Sequence, residues 1–348
     1  MSSLIDWSFA ERTARSLAPA PPLVTAAEAA AVVKELLNAT DRAAQHVAEL
    51  TRLTEPAVTA ATLVVDRPGW IHANVASMST VMQPITDKLT AHRAPGRFAS
   101  AVGGKTTGTQ AGAILAFLSG KVLGQFEFFS DAQGQLLLVA PNIVAVERSL
   151  GVDPADFRLW VCLHEVTHRV QFTAVPWLRQ HMLDEITELT EAIDVDPDAL
   201  VARLKAAVGE LSKAAQGKGD GGGLMAVLAP PQARAVMDRV TGFMSLVEGH
   251  AEYVMNAVDP SVIGSQKAIE QKFAARRKRG GNPLERLLKT LLGMDAKTRQ
   301  YTQGSGFVRT VVDRIGLDDF NAVWSSPSTL PTKAEITAPQ DWITRVHG

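Results

Sequence analysis

The run Asp153-Pro-Ala-Asp-Phe-Arg-Leu-Trp-Val-Cys-Leu-His-Glu-Val-Thr-His168 opens with helix-start signals and closes on two histidines four residues apart. Asp153 suits an N-cap because its carboxylate can accept from an open amide of the first turn. Pro154 suits N1, where no intrahelical N–H is needed, and Asp156 complements the helix dipole. Leu159, Trp160, Leu163, Val166 and Val170 continue the helical spacing and Val175-Pro176 stops it, which predicts a helix from Asp153 to about Phe172. On such a helix His164 and His168 share a face, and both imidazoles can reach one point in space. Glu165 lies about 100° round the axis, near enough to take a proton from a metal-activated water without ligating the metal. His164-Glu-Val-Thr-His168 therefore reads as a Zn2+ site with Glu165 as general base. Its place among apolar residues, where uncompensated polar groups are costly, favours this over two surface histidines beside a helix-stabilising glutamate.

A catalytic zinc site needs a third protein ligand and one open position. Leu246-Val-Glu-Gly-His-Ala-Glu-Tyr253 offers Glu248 and Glu252 four residues apart on one helical face, so that Glu248 can ligate while Glu252 orients a ligand imidazole. Gly249 and Ala251 are small enough for this helix to approach the one carrying His164. His250 projects about 200° from Glu248 and reads as a structural histidine or a substrate contact before a ligand. Tyr253, Tyr301, His250 and Arg309 are candidates, on residue type alone, for stabilising a developing oxyanion. A di-metal carboxylate site is a rival, because Glu165-Val-Thr-His168 is also Glu-x-x-His; such sites need two of these strings, and no other histidine has a glutamate three residues before it.

Outward from this centre the chain reads as mostly helical. Ala26 to Leu53 has helical periodicity; Asp66-Arg-Pro-Gly-Trp70 reads as a turn, and Trp70 to Leu89 as the next helix. Gly103 to Gly124, rich in small residues, fits a closely packed helix, and no Lys-Ser/Thr in it closes the spacing of a phosphate loop. Phe126, Phe128 and Phe129 before Asp131-Ala-Gln-Gly134, and Leu136 to Val139 after it, read as a β-hairpin. Beyond the central helix, Trp177–Ile193, Pro197–Ala215 and a long stretch from Pro230-Pro231 to Val258 read as helices, with more to about Arg314. Gln216–Gly223 is Gly-rich, and Gly217–Gly223 reads as a loop that could act as a lid. Pro327, Pro331 and Pro339 suggest an extended C-terminal segment. The expected fold is mainly α (α+β), one domain over 1–348, with an N-terminal helical part to about 124 and the hairpin and active-site part after it.

A net charge of −1 and a pI near 6.7 give no broad electrostatic reason to bind nucleic acid or an anionic membrane, and Lys272–Arg279 reads as a solvated helix end. Cys162 is the only cysteine, which excludes an intrachain disulfide and suggests a reducing compartment. Met1–Arg12 lacks the basic and apolar regions of a signal peptide, and no apolar run reaches the roughly 20 residues of a membrane span, so a cytoplasmic location is expected.

The chain resembles the zincin-like metallopeptidase family, type 2, found chiefly in actinobacteria, some members of which are named for an association with deazaflavin-cofactor biosynthesis. The likeness rests on Asp66-Arg-Pro-Gly-Trp70, Leu136-Leu-Leu-Val-Ala-Pro-Asn142, His164-Glu-Val-Thr-His168, Glu248-Gly-His-Ala-Glu252, Arg299-Gln-Tyr301 with Gly304, and Ser326-Pro327 with Leu330-Pro331. It implies a helical zincin-like fold with a zinc site. Similarity to gluzincins, whose third ligand opens a Glu-x-x-x-Asp-like string, points to Glu248, although Glu252 is one methylene longer than the Asp of that string. It also implies that a strand beside the active helix can pair with an extended peptide. Peptide, amide and ester substrates all fit this apparatus; the alternative is a zinc protein with a structural or partner-binding role.

Overall fold

A computed structural model describes residues 5–56, 60–92, 97–131, 133–192, 230–278 and 294–348. The helix expected at Pro197–Ala215, the Gly217–Gly223 loop and Gly280-Gly281 lie outside these residues. In chain order the elements are α1 (Trp7–Leu17), α2 (Ala26–Thr51), β1 (Ala61–Val65), α3 (Arg67–His92), α4 (Arg97–Ser119), β2 (Gly124–Glu127), β3 (Gln135–Val139), α5 (Ala140–Leu150), α6 (Pro154–Ala174) and α7 (Leu178–Ala192). They continue with α8 (Pro231–Ala257), α9 (Gln266–Lys278), α10 (Met294–Ile315), α11 (Leu317–Phe320), α12 (Lys333–Thr337) and α13 (Pro339–His347). The fold is mainly helical with one small sheet.

Helix α6 starts as its sequence dictates: Asp153 accepts from the Asp156 amide at 2.9 Å, with Pro154 in the first turn. From Phe157 to Gln171 nearly every residue is buried, on all sides of the helix. Such a helix belongs at a core centre rather than on a surface, and α6 packs against α2, α5, α8 and β2.

The sheet has the order β1-β3-β2, with β1 parallel and β2 antiparallel to the central strand. The expected hairpin is β2–β3, in the register Gly124↔Leu138 to Glu127↔Gln135. Phe128 and Phe129 leave the strand, and Phe128 stacks on Phe172 at the end of α6, 4.2 Å between centroids. Glu127 holds the turn together, accepting from the Phe129 and Ser130 amides at 2.6 and 2.9 Å and from the Ser130 hydroxyl. Burial pushes its carboxyl up, but hydroxyls of Ser130 and Ser77 and these amides outweigh it and hold the group below its usual range. Strand β3 divides two cores. Leu136 and Leu138 join the cluster around α2 and α6, while Leu137 and Val139 face Trp70, Ile71 and Leu115 of α3 and α4. A third core forms where α7, α8 and α10 meet the C-terminal residues Phe320, Trp324 and Trp342.

Two local expectations are corrected and two unforeseen elements are found. Asp66-Arg-Pro-Gly-Trp70 is the start of a helix, not a turn: Asp66 accepts from the Gly69 amide at 2.8 Å, and Pro68 falls in the first turn, where its missing N–H costs nothing. Strand β1 has no counterpart in the sequence reading, because five residues with an exposed Ala61 and Leu63 carry little signal without their partner. The apolar residues after Val139 form α5, which the sequence reading did not mark as a helix. The C-terminal segment is not extended: Pro327 and Pro339 each open a short helix, and Pro331 precedes the Thr332 cap of α12, whose box with Glu335 is complete. In the basic run, Lys272 and Arg276 donate to Gly151 O and Ser149 Oγ, both at 2.9 Å, where α5 ends; Arg279 lies outside the described residues.

Candidate metal centre

His164 and His168 lie one turn apart on α6, and α8 brings Glu248 to face them. The two Nε2 atoms are 3.1 Å apart, and each is 3.5 Å from Glu248 Oε2. Among the described residues these three form the one group able to hold a metal ion. A tetrahedral zinc with bonds of about 2.0–2.2 Å places its ligand atoms roughly 3.3 Å apart, so the triangle has the right size and the right donors for zinc. Glu248 is almost fully enclosed, whereas the His164 and His168 side chains keep 15% and 13% of their exposure, so the triangle opens on the histidine side.

Glu165 is buried against the sheet edge. A Cβ on Gly124 of β2 would lie 2.6 Å from Glu165 Cγ and 2.7 Å from Cδ, so the carboxylate occupies space that only glycine leaves. Burial alone would push the His168 imidazole down. The Glu248 carboxylate, with Glu165 and Gln171, outweighs burial and raises it.

Gln171, which the sequence reading did not single out, is the partner of His168: its Oε1 lies 3.0 Å from His168 Nδ1. The signal was a polar side chain three residues after His168, a spacing at which helical side chains touch, inside an otherwise apolar stretch. Its amide nitrogen reaches Val247 O and His250 Nδ1, both at 3.0 Å. His250 is fully buried and packs against Phe320 and Trp324; burial, with the nearby His168, pushes its pKa down to about 3. It reaches the triangle through Gln171. Glu252 is half-buried one turn beyond Glu248, and at His168 the place of imidazole partner is held by Gln171.

Tyr253 is half-buried and close enough to Asp313 and Arg309 to feel their charges; burial first, then Asp313, raises its phenol, against Arg309. Arg309 is exposed. Tyr301 belongs to α10, and its side chain is outside the described part. Gly249 does not face α6 as the sequence suggested: a Cβ there would lie 2.1 Å from Gly304 C of α10, so it allows α8 to touch α10.

A cavity of about 400 Å3 lies at the other end of α6, lined by Val32, Val144, Glu147 and Arg158 among others. Arg158 is already committed to Glu147, at 2.6 and 3.0 Å, and to Glu35. The residues that could hold a metal lie at the triangle instead.

A helix that presents two imidazoles and a neighbouring carboxylate to a glutamate from a second helix is the arrangement of the zincin class. The chain belongs to the zincin-like metallopeptidase family, whose sequence pattern matches residues 5–343. It is also similar, at 30% identity over 98% of both chains and with a TM-score of 0.71, to a crystal structure described as "a putative hydrolase with a novel fold" from Chloroflexus aurantiacus. No curated protein matches the chain. Family and neighbour together support a hydrolase of the metallopeptidase kind. Among the described residues no helix is long and apolar enough to cross a membrane.

Proposed function

We propose that the chain is a zinc-dependent hydrolase of peptide bonds, with His164, His168 and Glu248 as ligands and Glu165 as general base. The observation that carries this reading is the 3.1–3.5 Å triangle of two imidazoles and a carboxylate, with Glu165 seated beside it on the sheet edge. Zinc bound there would supply Lewis acidity and lower the pKa of a water toward about 7. Glu165 then accepts a proton at its carboxylate and passes it to the leaving nitrogen.

The sheet supplies a reason to favour peptides. Strand β2 is an edge of the sheet, and Gly124 on it adjoins Glu165. An extended substrate added to that edge by main-chain hydrogen bonds would run past the base. A purely structural zinc site would close with a fourth protein ligand, and the group found among the described residues has three, which favours turnover.

Zinc analysis together with a peptide-library cleavage assay on wild type and Glu165→Gln tests the proposal. Cleavage by the zinc-loaded wild type, lost in the variant with zinc retained, is the expected result. A wild type that binds zinc and cleaves nothing would leave the partner-binding role; one that binds no zinc would overturn the site.

A further inference from the structure

Gln171 is fully buried, and all its polar contacts lie between the two helices that carry the triangle. Its side-chain nitrogen donates to the Val247 carbonyl at 3.0 Å; a carbonyl oxygen can only accept, and this fixes which end of the amide is which. The same nitrogen lies 3.0 Å from His250 Nδ1, so that atom accepts and the His250 proton sits on Nε2. The amide oxygen is left 3.0 Å from His168 Nδ1, and an oxygen there requires a protonated nitrogen. His168 therefore carries a proton on Nδ1 and turns the Nε2 lone pair toward His164 and Glu248. The whole chain of assignments follows from one main-chain carbonyl of α8, the residue before Glu248.

His250 shows that this chain costs the fold something. Among the described residues its Nε2 is buried with no hydrogen-bond partner, and its ring packs 5.6 Å from Phe320 and 5.3 Å from Trp324. An apolar residue would fill that space without an orphaned N–H. What an apolar residue cannot do is accept the second amide proton of Gln171.

We propose that Gln171, anchored by Val247 O and His250, is a positioning residue that fixes the metal-binding tautomer of His168 and holds α6 against α8 so that Glu248 meets the histidines. The inference rests on the metal-site reading above, but it is also visible without metal. In 15N-histidine spectra of the metal-free protein, at a pH where His168 is neutral, His168 should show an Nδ1–H tautomer and His250 an Nε2–H tautomer. Gln171→Met and His250→Phe, compared by thermal melting and by competition for zinc with a chromogenic chelator, should weaken zinc by about 10–100-fold for Gln171→Met, with a smaller loss for His250→Phe. An Nε2–H tautomer at His168, or a folded Gln171→Met variant with wild-type zinc affinity, would overturn it. If Gln171→Met does not fold, the wild-type spectrum decides. A wild type that shows the expected tautomers but takes up no zinc would refute the hydrolase reading while leaving the hydrogen-bond assignment intact.

Discussion

On the proposed reading, two neighbouring residues, Glu165 and Gly124, divide the tasks of base and support. Glu165→Gln removes the proton acceptor and keeps the shape, so kcat should fall by about 10²–10⁴-fold with zinc content unchanged. Gly124→Ala removes no reacting group, but its methyl would meet Glu165 Cγ at 2.6 Å and displace the carboxylate. A shift of about 1 Å costs on the order of 10²-fold; steady-state kinetics should show that loss in kcat while zinc titration matches wild type. The three side chains that could hold a metal were legible in the sequence because helical spacing alone puts His164 beside His168, and because Glu248 stands in a second string of matching character. Gly124 was not legible: its meaning is a contact between a strand and a helix about forty residues apart in sequence.

Among the elements, α8 and α10 cross in close contact. A Cβ on Gly304 would lie 1.8 Å from Ser245 O, nearer than any side chain can sit. Gly304→Ala should therefore force the helices apart, destabilising by about 1–3 kcal/mol or more and, because α8 carries Glu248, weakening zinc as well. Thermal melts and chelator competition would reveal both, and an unchanged zinc affinity would show that α8 does not transmit the shift. The end of the chain offers a test by pH. Glu335 accepts from Arg345 Nε at 2.6 Å and Nη2 at 3.0 Å, and caps α12. Burial pushes its carboxyl up, but Arg345 and the Thr332 amide hold it below the usual 4.5. A depressed carboxylate stabilises the fold above its unfolded value and loses that contribution as pH falls through the folded one. Wild type should thus lose stability below about pH 4.5 more steeply than Glu335→Gln, as followed by denaturant melts across that range. Elements with their own caps and periodicity, such as α6, could be read from sequence. Strand β1 and the short C-terminal helices could not, since they depend on a parallel partner and on docking against Phe307 and Trp342.

Across the whole molecule, the strings that carry the family resemblance outside the metal site are joints of the scaffold. Arg67 of the first donates to Asn142 of the second at 2.8 Å and to the Pro19 and Ala20 carbonyls, while Asn142 donates to Ser119 O and Val122 O. These bonds tie α3, α4 and the β3–α5 junction together. Gly249 and Gly304 join α8 to α10, and Leu330 O receives Arg345. The sequence could flag these residues but not pair them. Because the proposed ligands come from two helices in this frame, zinc should stabilise all of it. At free zinc a thousand times Kd the gain is about 4.1 kcal/mol; stripping the metal should lower Tm, and Glu248→Gln should blunt that response.

Cys162 offers a way to watch that frame breathe. It lies two residues before His164 on α6, wholly enclosed, with its thiol pushed up to about 12 by burial. A thiol in that state is inert until its surroundings open. As the sole sulfhydryl in the chain, it makes the native protein a one-channel chronometer: the pace at which an alkylating dye consumes it reports how often the middle of the molecule comes apart.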